Sequence, residues 1–393
     1  MYCRFYSPAM FSFIMKYYLI AGEASGDLHG SNLIKELKKK DTNSHFRFWG
    51  GDLMQAQGGE LVKHYRDLAF MGFWEVLFNI VTILKNISFC KRDLVAFKPD
   101  ALILIDYPGF NLRIAGYAHR IGLKVFYYIS PQIWAWKQSR VNIIKQVVDK
   151  MFVILPFEKE FYKNFNFEVD FIGHPLLDAL DDNKDGSSIA IDTLPNENTS
   201  NKIIALLPGS RKQEITVMLP VMLSITRFYP TYKFIIAGTS SIPVKVYQSL
   251  LLHSGNESGS NPVSIVYDQT YPLLRKANAA LVTSGTATLE TALHLVPEVV
   301  CYKGSRLSYL IAKKLIKTKY ISLVNLIMDK EIVPELIQND FNTINLRQKL
   351  DELLTVDHKR NAMINDFKLL KDKLGGRGAS ERASGLMLKY LEQ

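Results

Sequence analysis

The chain has 393 residues, which is enough for two domains, and its hydrophobic content of 48% supports packed cores. The formal net charge is +10 and the pI is about 9.2, so phosphorylated substrates or an anionic membrane surface are favoured as partners. Nucleic acid is disfavoured because Lys and Arg are spread along the chain without a dense block. Cys3, Cys90 and Cys301 are odd in number and far apart, which excludes a disulfide framework and indicates a reducing compartment.

The first strand is predicted to begin directly after Met15. Residues 1–14 are rich in aromatic side chains, carry one Arg and lack a small-residue cleavage site, so they do not resemble a signal peptide. We therefore expect 1–14 to be an N-terminal extension and Met15 to be the natural start.

Apolar runs that are typical of buried strands alternate with amphipathic helical stretches along most of the chain. Strands are predicted at 16–21, 46–50, 101–105, 124–128, 151–155, 169–172, 202–207, 233–237, 263–267, 279–283 and 298–302. This alternation predicts an α/β fold with two Rossmann-like, doubly wound parallel-sheet domains facing a cleft. A ligand is then expected at the carboxyl ends of the strands.

The domain boundary is predicted at the polar, turn-rich segment 181–201, which interrupts the apolar pattern. Residues 15–180 form the first predicted domain and 202–344 the second. Residues 345–393 are predicted to be helical.

Two loops of the first domain follow predicted strands and carry polar side chains. The loop Gly22–Gly30 places Glu23, Ser25 and Asp27 where they could contact a sugar or a phosphate, although Asp27 could instead cap a helix. Asp106 ends the apolar run 101–105 and precedes a Pro-Gly turn. A carboxylate at the end of a strand suits a general base, and a helix cap is the structural alternative.

Two further loops could line the same region. Gln132, Trp134 and Lys137 lie in a short loop where Trp could stack on a sugar or simply cover the core. His174 follows the last strand of the domain, where it could orient a hydroxyl or fix the turn between the domains.

The stretch 68–81 has apolar side chains at helical spacing, interrupted by Glu75 and Asn79, which argues against a transmembrane helix. It could be buried in the core. Alternatively it presents an apolar face to a bilayer or to acyl chains, with Lys85, Lys91 and Arg92 available for anionic head groups.

The second half contains two strand-to-helix turns that suit a nucleotide diphosphate. The first ends in Gly209, Ser210 and Arg211, where the N–H groups of a helix start and a guanidinium could hold phosphate. The second contains Ser284, Gly285, Thr286, Ala287 and Thr288. Glu290 follows one turn into the second helix, where it could accept a hydrogen bond from a ribose hydroxyl.

Taken together in this order, the motifs resemble those of the lipid-A-disaccharide synthase family. They are Ala21–Asp27, Asp106–Asn111, Ser130–Trp136, Gly173–Leu176, Leu207–Arg211, Ser284–Glu290, Tyr320–Asn325 and Val333–Gln338. The resemblance extends from about Met15 to the C-terminus. Each motif is weak alone, but the ordered set is specific.

The resemblance implies a GT-B glycosyltransferase that joins UDP-2,3-diacylglucosamine to 2,3-diacylglucosamine 1-phosphate (lipid X), releasing UDP and a β-1,6-linked tetra-acyl disaccharide phosphate. It implies a peripheral protein on the cytoplasmic face of the inner membrane in Gram-negative lipid A biosynthesis, and a homodimer is a further possibility. By the same resemblance Asp106 is the base and Arg211, Glu290 and Asn325 contact the UDP-sugar. Residues 345–393 are expected to return to the first domain. The apolar segment implies membrane or acyl contacts at Met71, Phe73, Trp74, Leu77 and Phe78.

The implied reaction is a single displacement that inverts the donor's anomeric configuration, with Asp106 taking the proton of the acceptor 6-hydroxyl. Arg211 and two helix N-termini would stabilise the leaving UDP, and neither a metal nor another cofactor is expected. Two alternatives remain at this stage. One is another GT-B enzyme, such as a UDP-N-acetylglucosamine 2-epimerase or the transferase that makes lipid II. The other is a catalytically silent nucleotide-sugar-binding protein or membrane adaptor.

Overall fold

The computed structural model describes residues 14–68, 80–136, 138–182, 202–254, 263–304 and 318–393. The chain forms two compact units. The first comprises the chain up to Asp178 together with Arg377–Gln393, and the second comprises Ala179–Gly376.

The first unit contains a parallel sheet that has seven strands within the described residues, in the order β3-β2-β1-β4-β5-β6-β7. The strands are β1 Lys16–Ala21, β2 His45–Gly50, β3 Glu60–His64, β4 Ala101–Ile105, β5 Lys124–Tyr128, β6 Lys150–Val153 and β7 Asp170–Phe171. The helices are α1 Ala24–Lys40, α2 Asp52–Ala56, α3 Ile80–Phe97, α4 Pro108–Arg120, α5 Ile133–Trp136, α6 Arg140–Val147, α7 Pro156–Lys163 and α8 Leu176–Asp182, with a 3-10 turn at Tyr65–Asp67.

The central strands explain why this sheet forms. Every residue of β4 is buried, and its alternate side chains enter two apolar clusters, one containing Leu102 and Leu104 and the other Ile103 and Ile105. A parallel strand covered by helices on both faces has this continuous apolar composition. The register pairs Ala21 with Ile105, so β1 and β4 end side by side.

The last helix, α16 Ala379–Leu391, packs on α1 of the first unit. Ala383 and Met387 enter the apolar cluster on that face of the sheet. Asp178 accepts a hydrogen bond from the backbone N–H of Gly378 at 2.6 Å, which fixes the start of this segment.

The return to the first unit therefore begins at Arg377, which corrects the expected residue 345. The two preceding helices, α14 Thr343–Thr355 and α15 Asp357–Lys373, belong to the second unit. They contact strands and helices of that unit, because their apolar faces are buried there at Leu350 and Phe367.

The second unit contains a parallel sheet with six strands among the described residues, in the order β10-β9-β8-β11-β12-β13. The strands are β8 Lys202–Leu207, β9 Tyr232–Gly238, β10 Val263–Tyr267, β11 Ala279–Thr283, β12 Glu298–Tyr302 and β13 Glu335–Ile337. The remaining helices are α9 Lys212–Leu223, α10 Val244–His253, α11 Thr270–Lys276, α12 Thr286–Leu293 and α13 Leu323–Met328, with a 3-10 turn at Thr226–Phe228.

The predicted α/β class with two parallel-sheet domains is confirmed. Two edge strands, β3 and β13, were not predicted from the sequence. In the described part of the chain, no helix is long and apolar enough to cross a membrane.

One buried carboxyl group, that of Glu298, makes the stability of the fold dependent on pH. Glu298 is fully buried at the start of β12, and within the described residues neither of its carboxylate oxygens has a hydrogen-bond partner. Burial raises the pKa of Glu298 well above its usual value and so favours the neutral acid in the folded state. The unfolded chain releases this proton at ordinary acidic pH. Below the pKa of Glu298 in the unfolded chain, this carboxyl group does not reduce the free energy of unfolding. Above that pKa, the free energy of unfolding falls as the pH rises.

Glu298→Gln is expected to remove this pH dependence. We expect the free energy of unfolding of the unsubstituted chain, relative to the variant, to fall by up to about 1.4 kcal/mol per pH unit above about pH 5. Urea denaturation between pH 5 and pH 8 measures the difference. Glu331→Gln, at an exposed position of the same unit, serves as the control. A difference between wild type and Glu298→Gln that stays constant with pH would contradict the expectation.

Candidate active site

Asp106 lies where β4 turns into helix α4. Asp106 and Tyr107 both have left-handed backbone conformations, with φ of 42° and 48°, and Pro108 then begins the helix. The Asp106 carbonyl accepts hydrogen bonds from the Tyr127 hydroxyl and from the Asn111 side-chain amide, each at 2.7 Å. A left-handed conformation at two successive non-glycine residues is costly and is found mainly at functional sites. The surrounding bonds hold this turn in place.

The carboxylate of Asp106 combines exposure with a raised pKa. The residue is exposed to solvent, but nearby protein atoms desolvate its carboxyl group. This desolvation, together with the negative charge of Glu23, raises the pKa of Asp106 to about 6. The group is therefore ionised at neutral pH and is a stronger base than an ordinary Asp.

The absence of a side chain at Gly22 allows the end of β1 to lie close to the Asp106 turn. The Tyr107 ring lies against Gly22 so closely that a Cβ atom there would overlap it. This contact brings the end of β1, and with it Glu23, against the Asp106 turn. Glu23 is half-buried and its charge acts on Asp106, while Ser25 is exposed in the first turn of α1.

Asp27, in contrast, has a structural role. It is 2% exposed, and its carboxylate accepts hydrogen bonds from the backbone N–H groups of Gly51, Leu53 and Met54 at 2.7–3.0 Å. These groups form the start of α2, so Asp27 caps that helix from another part of the chain. This favours the helix-cap alternative over a contact of Asp27 with a sugar or a phosphate.

The loop after β5 is also more structural than predicted. Trp134 is 8% exposed and packs edge-to-face on Phe157, with ring centroids 4.9 Å apart, so it covers the core and is not open for stacking on a sugar. Gln132 is exposed. Lys137 lies outside the described residues.

His174 is buried and neutral. Its Nδ1 accepts a hydrogen bond from the backbone N–H of Leu176 at 3.2 Å. Burial and the nearby His29 lower the pKa of His174 to about 3. This favours the structural alternative, in which His174 fixes the turn. The predicted membrane contacts Met71, Phe73, Trp74, Leu77 and Phe78 all lie outside the described residues.

In the second unit, the loop after β8 has the form of an anion site. Gly209 has a φ of 107°, and a Cβ atom there would lie 2.5 Å from the Glu214 carboxylate, so both the conformation and the space require glycine. Ser210 and Arg211 are exposed at the start of α9, and the Arg211 side chain is 61% exposed.

Glu214 holds this loop. One of its oxygens accepts hydrogen bonds from the backbone N–H groups of Ser210 and Arg211 at 3.1 and 3.3 Å, and the other lies 3.7 Å from Arg211 Nη1. A Glu at the third helical position that reaches back to the helix start is one half of a capping box. It holds the backbone of the loop from which the Arg211 side chain extends.

The loop after β11 provides a second helix start. Gly285 and Thr286 are exposed, and no side chain caps the first turn of α12 among the described residues. Ser284 donates a hydrogen bond to the Ile321 carbonyl at 3.0 Å, and the buried Thr288 donates one to the Gly285 carbonyl at 2.9 Å. Ala287 is half-buried behind them. These bonds fix the loop, and its N–H groups and positive helix end suit an anion.

Glu290 lies on the same helix, half-buried, and its Oε1 accepts a hydrogen bond from the Tyr271 hydroxyl at 3.0 Å. Burial raises the pKa of Glu290, and the Tyr271 bond lowers it again. The structure thus places Glu290 beside the second anion loop, in the same unit as Arg211.

Asn325 forms internal hydrogen bonds with its whole side chain. It is fully buried, its Oδ1 accepts from the backbone N–H groups of Ile332 and Val333, and its Nδ2 donates to the Val333 carbonyl and to Glu335. All of its hydrogen-bonding capacity is used within the protein. These bonds indicate that Asn325 supports the chain around Ile332, Val333 and Glu335, and its predicted UDP-sugar contact stays a prediction.

Three residues of this region were not predicted: Glu214, Tyr271 and Glu335. Glu335 accepts hydrogen bonds from the backbone N–H groups of Ile321 and Ser322, from the Ser322 hydroxyl and from Asn325. Glu214 could have been found, because a Glu three residues after a helix start indicates a capping box. No sequence signal marks Tyr271. Among the described residues, no group of three or more His, Cys, Asp or Glu side chains could hold a metal ion.

Comparison with known sequences gives consistent matches over most of the chain. The family model described as lipid-A-disaccharide synthetase matches residues 17–385. The lipid-A-disaccharide synthase of Syntrophus aciditrophicus (strain SB) is 38% identical over 381 residues, covering 95% of this chain and 97% of that protein. Lipid-A-disaccharide synthase 1 of Legionella pneumophila (strain Paris) is 39% identical over 365 residues, covering 91% and 92%.

Comparison with solved structures identifies the same fold. The UDP-GlcNAc 2-epimerase from Neisseria meningitidis, bound to UDP-GlcNAc, superposes with a TM-score of 0.67 at 17% identity, covering 95% of this chain and 100% of that one. The calicheamicin glycosyltransferase CalG4 gives a TM-score of 0.58 at 13% identity, covering 96% and 98%. At these identities the likeness is one of fold, so the predicted GT-B architecture is confirmed while the epimerase alternative gains no support beyond it.

Proposed function

Because this chain belongs to the lipid-A-disaccharide synthase family and is therefore a glycosyltransferase, we propose that it joins UDP-2,3-diacylglucosamine to lipid X by a single inverting displacement. The products are a β-1,6-linked tetra-acyl disaccharide 1-phosphate and UDP.

The proposed mechanism depends on the properties of the Asp106 carboxylate. It is exposed at the end of a central strand, its backbone is fixed, and its pKa is about 6. Asp106 accepts the proton of the acceptor 6-hydroxyl while that oxygen attacks the anomeric carbon of the donor. A base with a pKa near the working pH combines a high ionised fraction with a useful driving force for proton transfer.

In this proposal, residues of the second unit bind and stabilise the leaving UDP. As the bond between the anomeric carbon and the diphosphate oxygen breaks, negative charge grows on UDP. Internal hydrogen bonds hold the backbone of Arg211 and the loop at Ser284, and the N–H groups of Gly285 and Thr286 lie at the start of α12. Preorganised donors of this kind stabilise developing charge without reorganising during the reaction. Glu290 accepts from the ribose hydroxyls.

The experiment that tests this assignment measures UDP release by the purified protein with both acyl-sugars together and with each alone. We expect release only with both substrates, and a β-configured 1,6 linkage in the product by NMR. UDP release without an acceptor, an α-linked product, or conversion of UDP-N-acetylglucosamine to a 2-epimer would contradict the proposal.

We further propose that helix α3 helps the protein to bind an anionic membrane surface as a peripheral protein, on the cytoplasmic face of the inner membrane. Val81 and Leu84 are 60% and 58% exposed and Phe89 is 40% exposed on this helix. Lys85 and Arg92 are exposed beside them. Apolar side chains flanked by cations on one helix suit the interface of an anionic bilayer.

Replacing Val81 and Leu84 by Asp is expected to weaken membrane binding about tenfold, since apolar contacts are lost and charge repulsion is added. Flotation with vesicles of phosphatidylethanolamine and phosphatidylglycerol measures the bound fraction. The matched control is Val244→Asp with Leu252→Asp on helix α10, where the side chains are 49% and 59% exposed. This role of the α3 face would be contradicted if both double variants lost binding equally, or if neither variant lost binding.

A further inference from the structure

Tyr271 and Glu290 form a side-chain pair that links two helices of the second unit. Tyr271 lies at the start of helix α11, and Glu290 lies on helix α12 beside the loop Ser284–Thr288. The Tyr271 hydroxyl donates to Glu290 Oε1 at 3.0 Å. Among the described residues no second donor contacts this carboxylate, so Oε2 accepts no hydrogen bond from them.

The Tyr271 ring is itself held in position. It packs against the His294 imidazole with ring centroids 5.2 Å apart. His294 Nδ1 lies 2.8 Å from the backbone carbonyl of Glu290, one turn earlier on the same helix. The phenol is thereby tied to the helix that carries Glu290, and the direction of its O–H bond toward the carboxylate is fixed.

Burial and the hydrogen bond from Tyr271 act in opposite directions on the ionisation of Glu290. Burial raises the pKa of the Tyr271 phenol, so it remains a donor at any physiological pH. Burial also raises the pKa of Glu290, which would reduce its value as an acceptor, and the hydrogen bond from Tyr271 opposes that shift. An ionised carboxylate with one oxygen oriented by the protein can accept from two neighbouring hydroxyl groups of a ligand.

We propose that Tyr271 is a positioning residue for nucleotide recognition, which orients the Glu290 carboxylate toward the 2′- and 3′-hydroxyls of the ribose of bound UDP. This inference rests on the proposed function, in which Glu290 contacts the ribose. Tyr271 acts through Glu290 and touches neither the diphosphate nor the reacting atoms.

Isothermal titration calorimetry of the protein with UDP and with 2′,3′-dideoxy-UDP tests the inference. We expect the wild-type protein to prefer UDP by about 30-fold, since hydrogen bonds to a charged group contribute strongly. In Tyr271→Phe the preference is expected to fall to about 5-fold or less, while the Kd for dideoxy-UDP stays within about twofold of wild type. An unchanged Kd for dideoxy-UDP also shows that the variant is folded, and phenylalanine keeps the ring contact with His294.

Tyr229→Phe is the matched control. Tyr229 donates to the Asp351 carboxylate at 2.7 Å, so the control loses the same type of bond, but before the start of β9, at the opposite end of the strands. It should keep the full preference for UDP.

The outcomes separate the inference from the proposed function. Full preference for UDP in Tyr271→Phe, or equal weakening of both ligands, overturns the positioning role. Preference that is lost in Glu290→Gln but kept in Tyr271→Phe also overturns it, and leaves the ribose contact of Glu290 standing. If the wild-type protein binds UDP and dideoxy-UDP equally well, both the ribose contact of Glu290 and the inference about Tyr271 are overturned.

Discussion

Asp106→Asn is expected to lower kcat about 10³-fold, the typical loss when a positioned general base is removed. The substitution keeps the size of the side chain and tolerates the left-handed backbone at this position, because Asn adopts that conformation as readily as Asp. The protein should therefore remain folded, and the loss should reflect the missing base. Steady-state turnover with both acyl-sugar substrates measures it.

The control for this substitution is Asp100→Asn, at the other end of the same strand segment. Asp100 is exposed and accepts a hydrogen bond from the backbone N–H of Lys16 at 2.7 Å. Asp100→Asn should lower the free energy of unfolding slightly and leave turnover unchanged. Near wild-type turnover in Asp106→Asn would remove Asp106 as the base.

The raised pKa of Asp106 also sets the pH dependence of the wild-type reaction. The base must be ionised, so activity should be full above the folded-state pKa of about 6 and fall about tenfold per pH unit below it. Glu23→Gln removes the charge that helps to raise this pKa, and should move the acid limb of kcat/KM to lower pH.

Arg211→Ala is expected to lower kcat/KM for the UDP-sugar about 10²-fold, because a preorganised, charged donor to the leaving diphosphate is lost. Arg211→Lys should recover only part of this activity, since an ammonium group keeps the charge but cannot form two parallel hydrogen bonds. The side chain is largely exposed, so neither variant should unfold the protein.

Arg227→Ala provides the matched control for Arg211. Arg227 is exposed in the turn before β9, where its guanidinium lies over the Phe228 ring, 4.9 Å from the ring centroid. Its removal should leave kcat/KM unchanged. An equal effect of the two substitutions would indicate a general loss of positive charge and would contradict a specific contact of Arg211 with the diphosphate.

The architecture was predictable because its central strands are continuous apolar runs. β4 and β11 are buried along their whole length, so their sequences carry a clear signal. The edge strands β3 and β13 were missed for the opposite reason. Glu60–His64 has no fully buried residue, and Glu335–Ile337 has only three residues, so neither shows a periodic pattern.

The site was predictable where position in the chain decides the role. Asp106, Gly209 and Ser284 each follow a buried strand, and topology alone brings such residues to the carboxyl edge of a parallel sheet. The same rule could not distinguish ligand contacts from internal bonds. Asp27 and Asn325 carry polar groups that suit a substrate, but the folded chain brings distant backbone N–H groups to them, and they are used there.

The residues that hold the site were the least predictable. Tyr271 reaches Glu290 across 19 positions of sequence, and Glu335 collects donors that lie 10 to 14 positions away. Such pairs depend on how helices and strands pack, and no local pattern specifies them.

We propose that the two units have separate roles, in which Asp106 of the first unit activates the acceptor and the second unit binds UDP. The most direct test is the affinity of Asp106→Asn for UDP, measured by isothermal titration beside wild type and Arg211→Ala. We expect Asp106→Asn to bind UDP within about twofold of wild type although its turnover is lost, and Arg211→Ala to bind UDP about tenfold more weakly. A loss of UDP affinity in Asp106→Asn as large as that in Arg211→Ala would contradict the assignment.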